Sequence, residues 1–435
     1  MATRRRPPGP NGLPILGNTH QFARDQFGFA EHLVAAYDDI AYYEVLGRPF
    51  YQLNDPDAIE RVLVHNNENY VKGDFVQGLL RPIVGGGLLT SEGETWRGQR
   101  RRLQPSFTPD RVRGYADAMV DATEQKLAEW DDGEVTDVHE DMMEVTLAII
   151  ADTMFGMTVD EEVETVGAAL ETAMRQTEKV WEGFVPKSVP TPGRRRYQRA
   201  IDALDEVVYR IIRARKADPA DDVVTALLEG EDDVDDEQLR DQVMTILLAG
   251  HETTALALTF TLHLLARHPD IAGRLRAELD EIDGTPTATD VLGAPYLDRV
   301  ITESMRLYPP VHTINREATG PDTLAGYEIP AGATVTMSQW AIHRDDRFYD
   351  DPRTFDPDRW ADGLRESLPD FAYFPFGGGP RRCIGDRFAL LEAKLVLATV
   401  LPRYEFDLVG PEEFDLLASI TARPANPVEM RVRER

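Results

Sequence analysis

Cysteine is almost absent from this sequence: one residue, Cys383, in 435. A single thiol cannot close an internal disulfide, build a multi-cysteine zinc site or hold a four-cysteine iron–sulfur cluster. Lysine is nearly as scarce. Six of the 47 basic residues are lysine (Lys72, Lys126, Lys179, Lys187, Lys216, Lys394), and 76 acids leave a net charge of −29. That balance argues against the basic face that nucleic-acid binding uses. Long apolar runs are missing too. The arginines at 4–6 lead into prolines with no apolar core behind them, unlike a secretory signal. The most apolar stretch, Met244 to Leu265, is interrupted by His251, Glu252 and five threonines. A bilayer span needs about 20 largely apolar residues, so this segment reads as a buried helix and no transmembrane anchor is expected. There is also no Gly-x-Gly-x-x-Gly dinucleotide fingerprint.

What the sequence has in abundance is acid, arginine and helical periodicity. At molar salt the screening length falls to about 3 Å, which suppresses the self-repulsion of so acidic a chain. The acid-rich, lysine-poor composition resembles that of halophilic archaeal proteins, and implies a cytoplasmic protein in a high-salt cytosol. The Pro-Pro-Gly-Pro lead-in is stiff and turn-rich. Residues 40–53 read as a hairpin around Leu46-Gly47-Arg48, and Asp55-Pro56 opens a helix to about Asn66. Residues 72–90 are Gly-rich and read as irregular. Helical pattern then covers 92–103, 109–130, 139–155, 158–177, 193–216, 220–229, 236–267, 269–282 and 294–307. Short strand signals fall at 311–317, 323–329 and 333–338. A polar, Pro-rich stretch spans 344–375, one more helix runs from about Gly385 to Leu401, and β-hairpins follow. The expectation is one mainly α domain over 1–435 with a small β part: a β-containing region to about 70, a helical core at 92–307, a meander and cysteine loop at 344–385, and a C-terminal helix with hairpins. Seven acids in nine residues at 229–237 read as a solvated loop whose end caps the next helix.

Phe376-Gly377-Gly-Gly-Pro-Arg381-Arg382-Cys383-Ile-Gly385 is the most informative stretch. Its glycines permit sharp turns and close backbone approach. A helix N-terminus just downstream and two adjacent arginines favour an ionised thiol, either a nucleophile or a metal ligand. The pattern Phe-x-x-Gly-x-Arg-x-Cys-x-Gly resembles the haem-binding signature of the cytochrome P450 family, the haem-thiolate monooxygenases. That resemblance implies the P450 fold, with a long central helix over the haem and the cysteine loop on its proximal side. It implies Cys383 as the ligand of haem iron, where a thiolate favours O–O cleavage, with Phe376, Gly377, Arg381 and Gly385 around the cofactor.

Three further motifs stand in the family's order. Glu303-Ser-Met-Arg306 places an acid and a base at i, i+3 on one helix face. With Arg359 of Phe355-Asp-Pro-Asp-Arg359-Trp360 it resembles the family's buried proximal network. Ala249-Gly250-His251-Glu252-Thr253-Thr254 lies midway along the 236–267 helix. Glycine and a back-bonding threonine suit close packing, and equally suit a bend that opens a groove. The resemblance implies that Ala249 borders the haem, that Thr253 donates a hydrogen bond to dioxygen, and that Glu252 relays protons from solvent. His251 lies on another face and is not expected to ligate. Trp96-Arg-Gly-Gln-Arg100 resembles the pair that holds a haem propionate, as do Arg381 and Arg316.

The implied cofactors are haem b, dioxygen as co-substrate, and NAD(P)H acting indirectly through redox partners. Arginines 97, 100, 101, 102, 111 and 113, with Arg381, Arg382 and Arg387, stand out in an acidic chain. A patch of Arg97, Arg100, Arg101 and Arg382 is expected to receive a ferredoxin-type electron donor, itself served by a reductase. The protein is expected to be a monomer. By the family's pattern parts of 73–90, Ile246, Leu247, Ala249, Val311, Thr313 and Ser419-Ile420 line an apolar pocket, for a fatty acid, a terpenoid or similar. Segment 181–193 is expected to be a lid. The alternatives are a haem-thiolate isomerase or peroxygenase that needs no reductase, a non-catalytic haem sensor, and, outside haem chemistry, a cysteine hydrolase. Glu252 with Thr253 speaks against the isomerase and the sensor, and no arginine stands at 244–254, where peroxygenases often place one. No histidine in a supporting motif favours the hydrolase.

Overall fold

A computed structural model describes residues 6–157, 161–177, 191–229 and 234–435. The expected lid lies mostly outside these residues, as does part of the acidic run. The chain divides into two compact units, a finer grain than the single domain expected from sequence.

The first unit comprises Met1–Gly78, Thr302–Cys383 and Ile420–Ala422. Its centre is a five-stranded sheet in the order Ile40–Val45, Arg48–Leu53, Thr334–Met337, Ile314–Ala318, Tyr70–Val71. The first two strands form the expected hairpin, with Tyr42 opposite Tyr51 and Val45 opposite Arg48. Arg48–Leu53 runs parallel to Thr334–Met337. The face bearing Ile40, Tyr42, Tyr51 and Leu53 packs with Val335, Met337, Ile59, Leu63, Phe371 and Phe374 into one apolar core. The helix expected from Pro56 turns α-helical to Glu60 and then widens into a π segment, Arg61–His65.

The second unit comprises Leu79–Ile301, Ile384–Ser419 and Arg423–Arg435. Its axis is the helix Asp236–Arg267, 32 residues and so about 48 Å long at 1.5 Å per residue. Asp235 caps it by accepting from Gln238 N–H at 2.8 Å, with Asp236 and Glu237 in the first turn, where the helix dipole favours negative charge. Pro269 follows its end. By length and composition this helix could cross a membrane, yet 83% of its most apolar window is buried inside the protein. Helix Val138–Phe155 packs along it and ends at Gly156, in the left-handed region with φ +56°. Helix Asp386–Val400 also packs on it.

Two sequence expectations change. The supposedly irregular 72–90 holds a helix, Asp74–Val84. Pro82 and the glycines around it masked the spacing of Leu80, Ile83 and Val84, all buried. The single helix expected at 109–130 is two, Pro109–Arg113 and Ala116–Leu127, broken at Gly114-Tyr115.

Candidate functional site

The part of helix Pro295–Leu307 from Thr302 onward belongs to the first unit and carries Glu303 and Arg306, both wholly buried. A guanidinium has five N–H donors, and all five of Arg306 are used. Nε and Nη2 donate to the two oxygens of Glu303 at 2.8 Å each. Nη1 donates to the His343 and Pro352 carbonyls at 2.8 and 2.6 Å, and Nη2 also to the Thr354 carbonyl at 3.1 Å. Glu303 accepts in addition from Arg359 Nε at 2.9 Å, Trp360 Nε1 at 2.9 Å and the Asp356 N–H at 3.0 Å. The triad of Glu303, Arg306 and Arg359 is therefore assembled, with Trp360 as a fourth member the sequence reading did not assign.

The network reaches the cysteine loop through His343. Arg306 holds its carbonyl, and its Nε2 accepts from the Phe374 N–H at 3.0 Å. That bond requires an unprotonated Nε2. Burial agrees, pushing the His343 pKa down to about 3. Gln339 donates to the Phe374 carbonyl, Tyr349 to the Ala372 carbonyl, and Tyr373 to the Thr302 carbonyl. The polar stretch 344–375 is thus tied down immediately before the loop begins.

The loop itself is a pair of glycine turns. Gly377 and Gly379 sit at φ +68° and +65°, a region costly for residues with a Cβ. A Cβ on Gly379 would lie 1.9 Å from the Leu63 carbonyl oxygen. Arg381 closes a short 3-10 turn, and the Cys383 N–H donates to the Phe376 carbonyl at 3.0 Å, which folds the loop back on itself. The Cys383 side chain is exposed, whereas Phe376 and Arg381 are half-buried. Arg316 stands mid-strand opposite Val335, half-buried, and donates to the Asn315 carbonyl at 2.9 Å.

In the second unit the long helix is buried from Leu239 to Leu248 and from Thr254 to Leu265. Between these runs Ala249, Gly250 and Thr253 are the partly exposed positions, while His251 and Glu252 are buried. Thr253 Oγ1 donates back to the Ala249 carbonyl at 2.6 Å. A Cβ on Gly250 would meet Ile150 Cδ1 at 2.5 Å, and Thr146 donates to the His251 carbonyl at 3.1 Å. Glycine here serves close helix packing, and the opening appears on the stripe beside it. His251 is held neutral by burial, its pKa pushed down to about 4.

Glu252, expected to relay protons from solvent, is itself buried. It is 3% exposed and ion-paired to Arg423, Nε to Oε1, at 3.0 Å. Sequence reasoning missed Arg423 because about 170 residues separate the pair and the tail carries no motif. Glu392, on helix Asp386–Val400, was missed for the same reason. It is wholly buried, and desolvation raises its pKa well above the usual carboxylate range. The 85–87 glycines are anchored on the long helix, where Gly86 N–H donates to Asp241 Oδ2 at 2.6 Å and Leu88 N–H to Gln242 Oε1 at 3.3 Å. Of the expected pocket residues, Ile246 and Leu247 are buried, and Val311, Thr313, Ser419 and Ile420 half-buried.

Helix Gly93–Leu103 turns Gln99 and Leu103 inward. Its other face opens a cleft of about 560 Å³ lined by Trp96, Arg97, Arg100, Arg101, Gln104, Pro105 and Thr108. Three guanidiniums and no carboxylate in that lining suit an anionic group such as a propionate. Arg100 Nε donates to Gln104 at 3.2 Å.

These residues fit a haem and not the other metal centres of proteins. The chain's one thiol is accessible, and no group of three or more His, Cys, Asp or Glu among the described residues could hold a bare metal ion. The thiol suits a haem iron, and the arginine-lined cleft suits a propionate. The family follows from comparison with known proteins. The cytochrome P450 family model matches residues 7–428, and the chain belongs to that family. It is 34% identical to cyclooctat-9-en-7-ol 5-monooxygenase of Streptomyces melanosporofaciens, over 91% of this chain and 88% of the relative. It is 33% identical to pentalenene oxygenase of Streptomyces avermitilis, over 98% of this chain and 96% of the relative. The crystal structure of the cytochrome P450DA heme domain superposes with TM-score 0.89 at 28% identity, covering 100% of this chain and 99% of that one. The chain is a cytochrome P450 monooxygenase, an oxidoreductase that uses haem, dioxygen and electrons from redox partners to oxygenate an apolar substrate.

Proposed function

We propose that this monooxygenase binds haem b through Cys383 and hydroxylates a terpenoid. The observation that carries the reading is the opening in the long helix: Ala249, Gly250 and Thr253 are accessible where every neighbouring turn is buried. A thiolate-ligated haem supplies activation of dioxygen, placing one oxygen atom in the substrate and the other in water at the expense of two electrons and two protons. The protein's own part is positional. Arg100, Arg381 and Arg316, with Trp96, hold the propionates. Phe376, Gly377, Gly385 and Ala249 pack against the macrocycle. The Thr253 hydroxyl holds a proton at the oxygen groove, and Glu252 with its partner Arg423 keeps a charged reservoir one residue away. The terpenoid oxygenases among the relatives support a terpenoid as the substrate.

Electrons enter from a ferredoxin-type donor at Arg97, Arg100, Arg101 and Arg382, whose charge opposes that of an acidic partner. The enzyme works as a monomer in the cytoplasm at high salt, for which the 76 acids and six lysines are the support. A carbon monoxide difference spectrum of the reduced protein tests the ligand: a red-shifted Soret band is expected, and its absence removes the thiolate. Ferric spin-state titrations with a sesquiterpene hydrocarbon and with a C16 fatty acid test the substrate. Tighter binding of the fatty acid would overturn the terpenoid assignment.

A further inference from the structure

Three successive glycines, Gly85, Gly86 and Gly87, follow Val84 and lead into Leu88. A run of glycine carries the largest conformational entropy a chain can have, so such a loop stays in one place only if something holds it. This loop lies directly on the long helix. Gly85 sits at φ +52°, and a Cβ there would come within 2.1 Å of both carboxylate oxygens of Asp241. A Cβ on Gly87 would meet Thr245 Oγ1 at 2.1 Å and the Asp241 carbonyl oxygen at 2.5 Å.

Two adjacent residues of that helix do the holding. Gly86 N–H donates to Asp241 Oδ2 at 2.6 Å, and Leu88 N–H donates to Gln242 Oε1 at 3.3 Å. Alternate N–H groups of the loop are thus pinned by successive side chains. Gly86 is held at its carbonyl as well, which accepts from Gln99 Nε2 at 2.8 Å, while Gln99 Oε1 accepts from Ser91 Oγ at 2.5 Å. Leu88, Thr90, Ser91 and Gln99 are buried, so the anchored loop is continuous with the protein interior.

Asp241 can serve there because it is itself paired. Its Oδ1 accepts from Arg240 Nη1 at 2.9 Å, and Arg240 Nε donates to Asp205 Oδ1 of helix Pro192–Ala217 at 2.6 Å. Arg240 and Asp241 are each 8% exposed. A carboxylate so buried is costly without a cation beside it, and the guanidinium answers that cost while leaving the second oxygen for the loop. The two oxygens accept from different partners, a guanidinium and a backbone N–H. A side-chain amide has a single acceptor oxygen and could not do both.

We infer that Asp241, with Gln242 beside it, is a positioning residue for substrate: it fixes the 85–88 loop and thereby the pocket wall which that loop forms. The inference rests on the reading that residues within 73–90 line the apolar pocket. Neither side chain has to touch substrate, since both act through the backbone of the loop. The arrangement makes binding a property of a charged residue that composition alone would assign to the helix surface.

Hydrogen exchange on peptides covering 85–91 tests the anchoring in the haem-loaded full chain, and spectral titrations with imidazole and with clotrimazole test its consequence. Asp241→Asn keeps the shape and loses one of the two acceptors. Its 85–91 segment should exchange roughly tenfold faster, as the loss of a charge-assisted hydrogen bond implies, with helix Val138–Phe155 protected as in the parent. Imidazole, too small to reach a pocket wall, should bind as before. Clotrimazole should bind about tenfold more weakly, because it must then order the loop itself. Gln242→Met removes only the Leu88 anchor, and should move exchange and clotrimazole affinity the same way by about threefold. Unchanged exchange at 85–91 in Asp241→Asn would overturn the anchoring. Exchange that rises equally in helix Val138–Phe155 would assign Asp241 to global stability and overturn it too. Faster exchange at 85–91 with clotrimazole affinity unchanged or tighter would overturn the positioning role and remove the loop from the pocket wall. The carbon monoxide band of the parent, measured first, separates a failure of the haem reading from a failure of this one.

Discussion

Replacing Arg306 by lysine keeps the charge and removes the fork, and that change isolates what the buried network does. Arg306 makes five hydrogen bonds with five N–H groups, two to Glu303 and three to the carbonyls of His343, Pro352 and Thr354. An ammonium offers three donors from one point, so at least two acceptors go unpaired at a site with no water access. Each such orphan costs about 1–3 kcal/mol, so the variant should lose about 2–6 kcal/mol. Total stability is of order 5–15 kcal/mol, so the loss is a large fraction of it. It also falls on the loop, because the His343 carbonyl and the Phe374 N–H are linked through one side chain. Haem content by pyridine haemochrome and urea unfolding by circular dichroism are the assays. Arg306→Lys should carry little haem and unfold at lower urea. Arg359→Lys, at the edge of the same carboxylate with 8% of its side chain exposed, should suffer less. Full haem loading in Arg306→Lys, with stability within about 1 kcal/mol of the parent, would refute a bracing role for the network.

Three other outcomes are expected. Thr253→Ala should keep its haem but divert reducing equivalents to peroxide, with coupled product falling about tenfold; unchanged coupling would remove the threonine from proton handling. His251 and His343 are held neutral, with pKa values pushed down to about 4 and about 3 by burial. Depressed folded values mean that the unfolded chain binds more protons below pH 6.5, so this stability is complete above that value. It is lost as pH falls toward 4 and then 3. At pH 5 the two together cost about 4 kcal/mol, so urea midpoints at pH 7 and pH 5 should differ strongly, and His251→Gln should flatten the dependence. Finally, the melting temperature should climb as KCl rises from dilute to molar, because −29 charges repel until screened; an insensitive melt would remove the salt-adaptation reading.

The sequence by itself determined the chemistry and the main elements. Cys383, the glycines around it, Glu303 with Arg306, and Thr253 are short-range patterns. A turn needing positive φ, a pair at i, i+3 and a capped apolar helix each encode their geometry within a few residues. The helix 236–267 was legible to both ends for that reason. Patterns also misled where local signals competed. Pro82 and the neighbouring glycines hid the helix at 74–84, and Gly114 broke a continuous periodicity. What only the tertiary structure decided depends on groups far apart in the chain. The burial of Glu252 against Arg423, the three carbonyls that fill Arg306, the neutral state of His343 and the raised carboxyl pKa of Glu392 arise from packing and desolvation. The same holds for the Gly86 N–H on Asp241, which joins a glycine loop to a side chain 155 residues further on. Charge state and exposure are properties of an environment, and an environment exists only once the chain has folded.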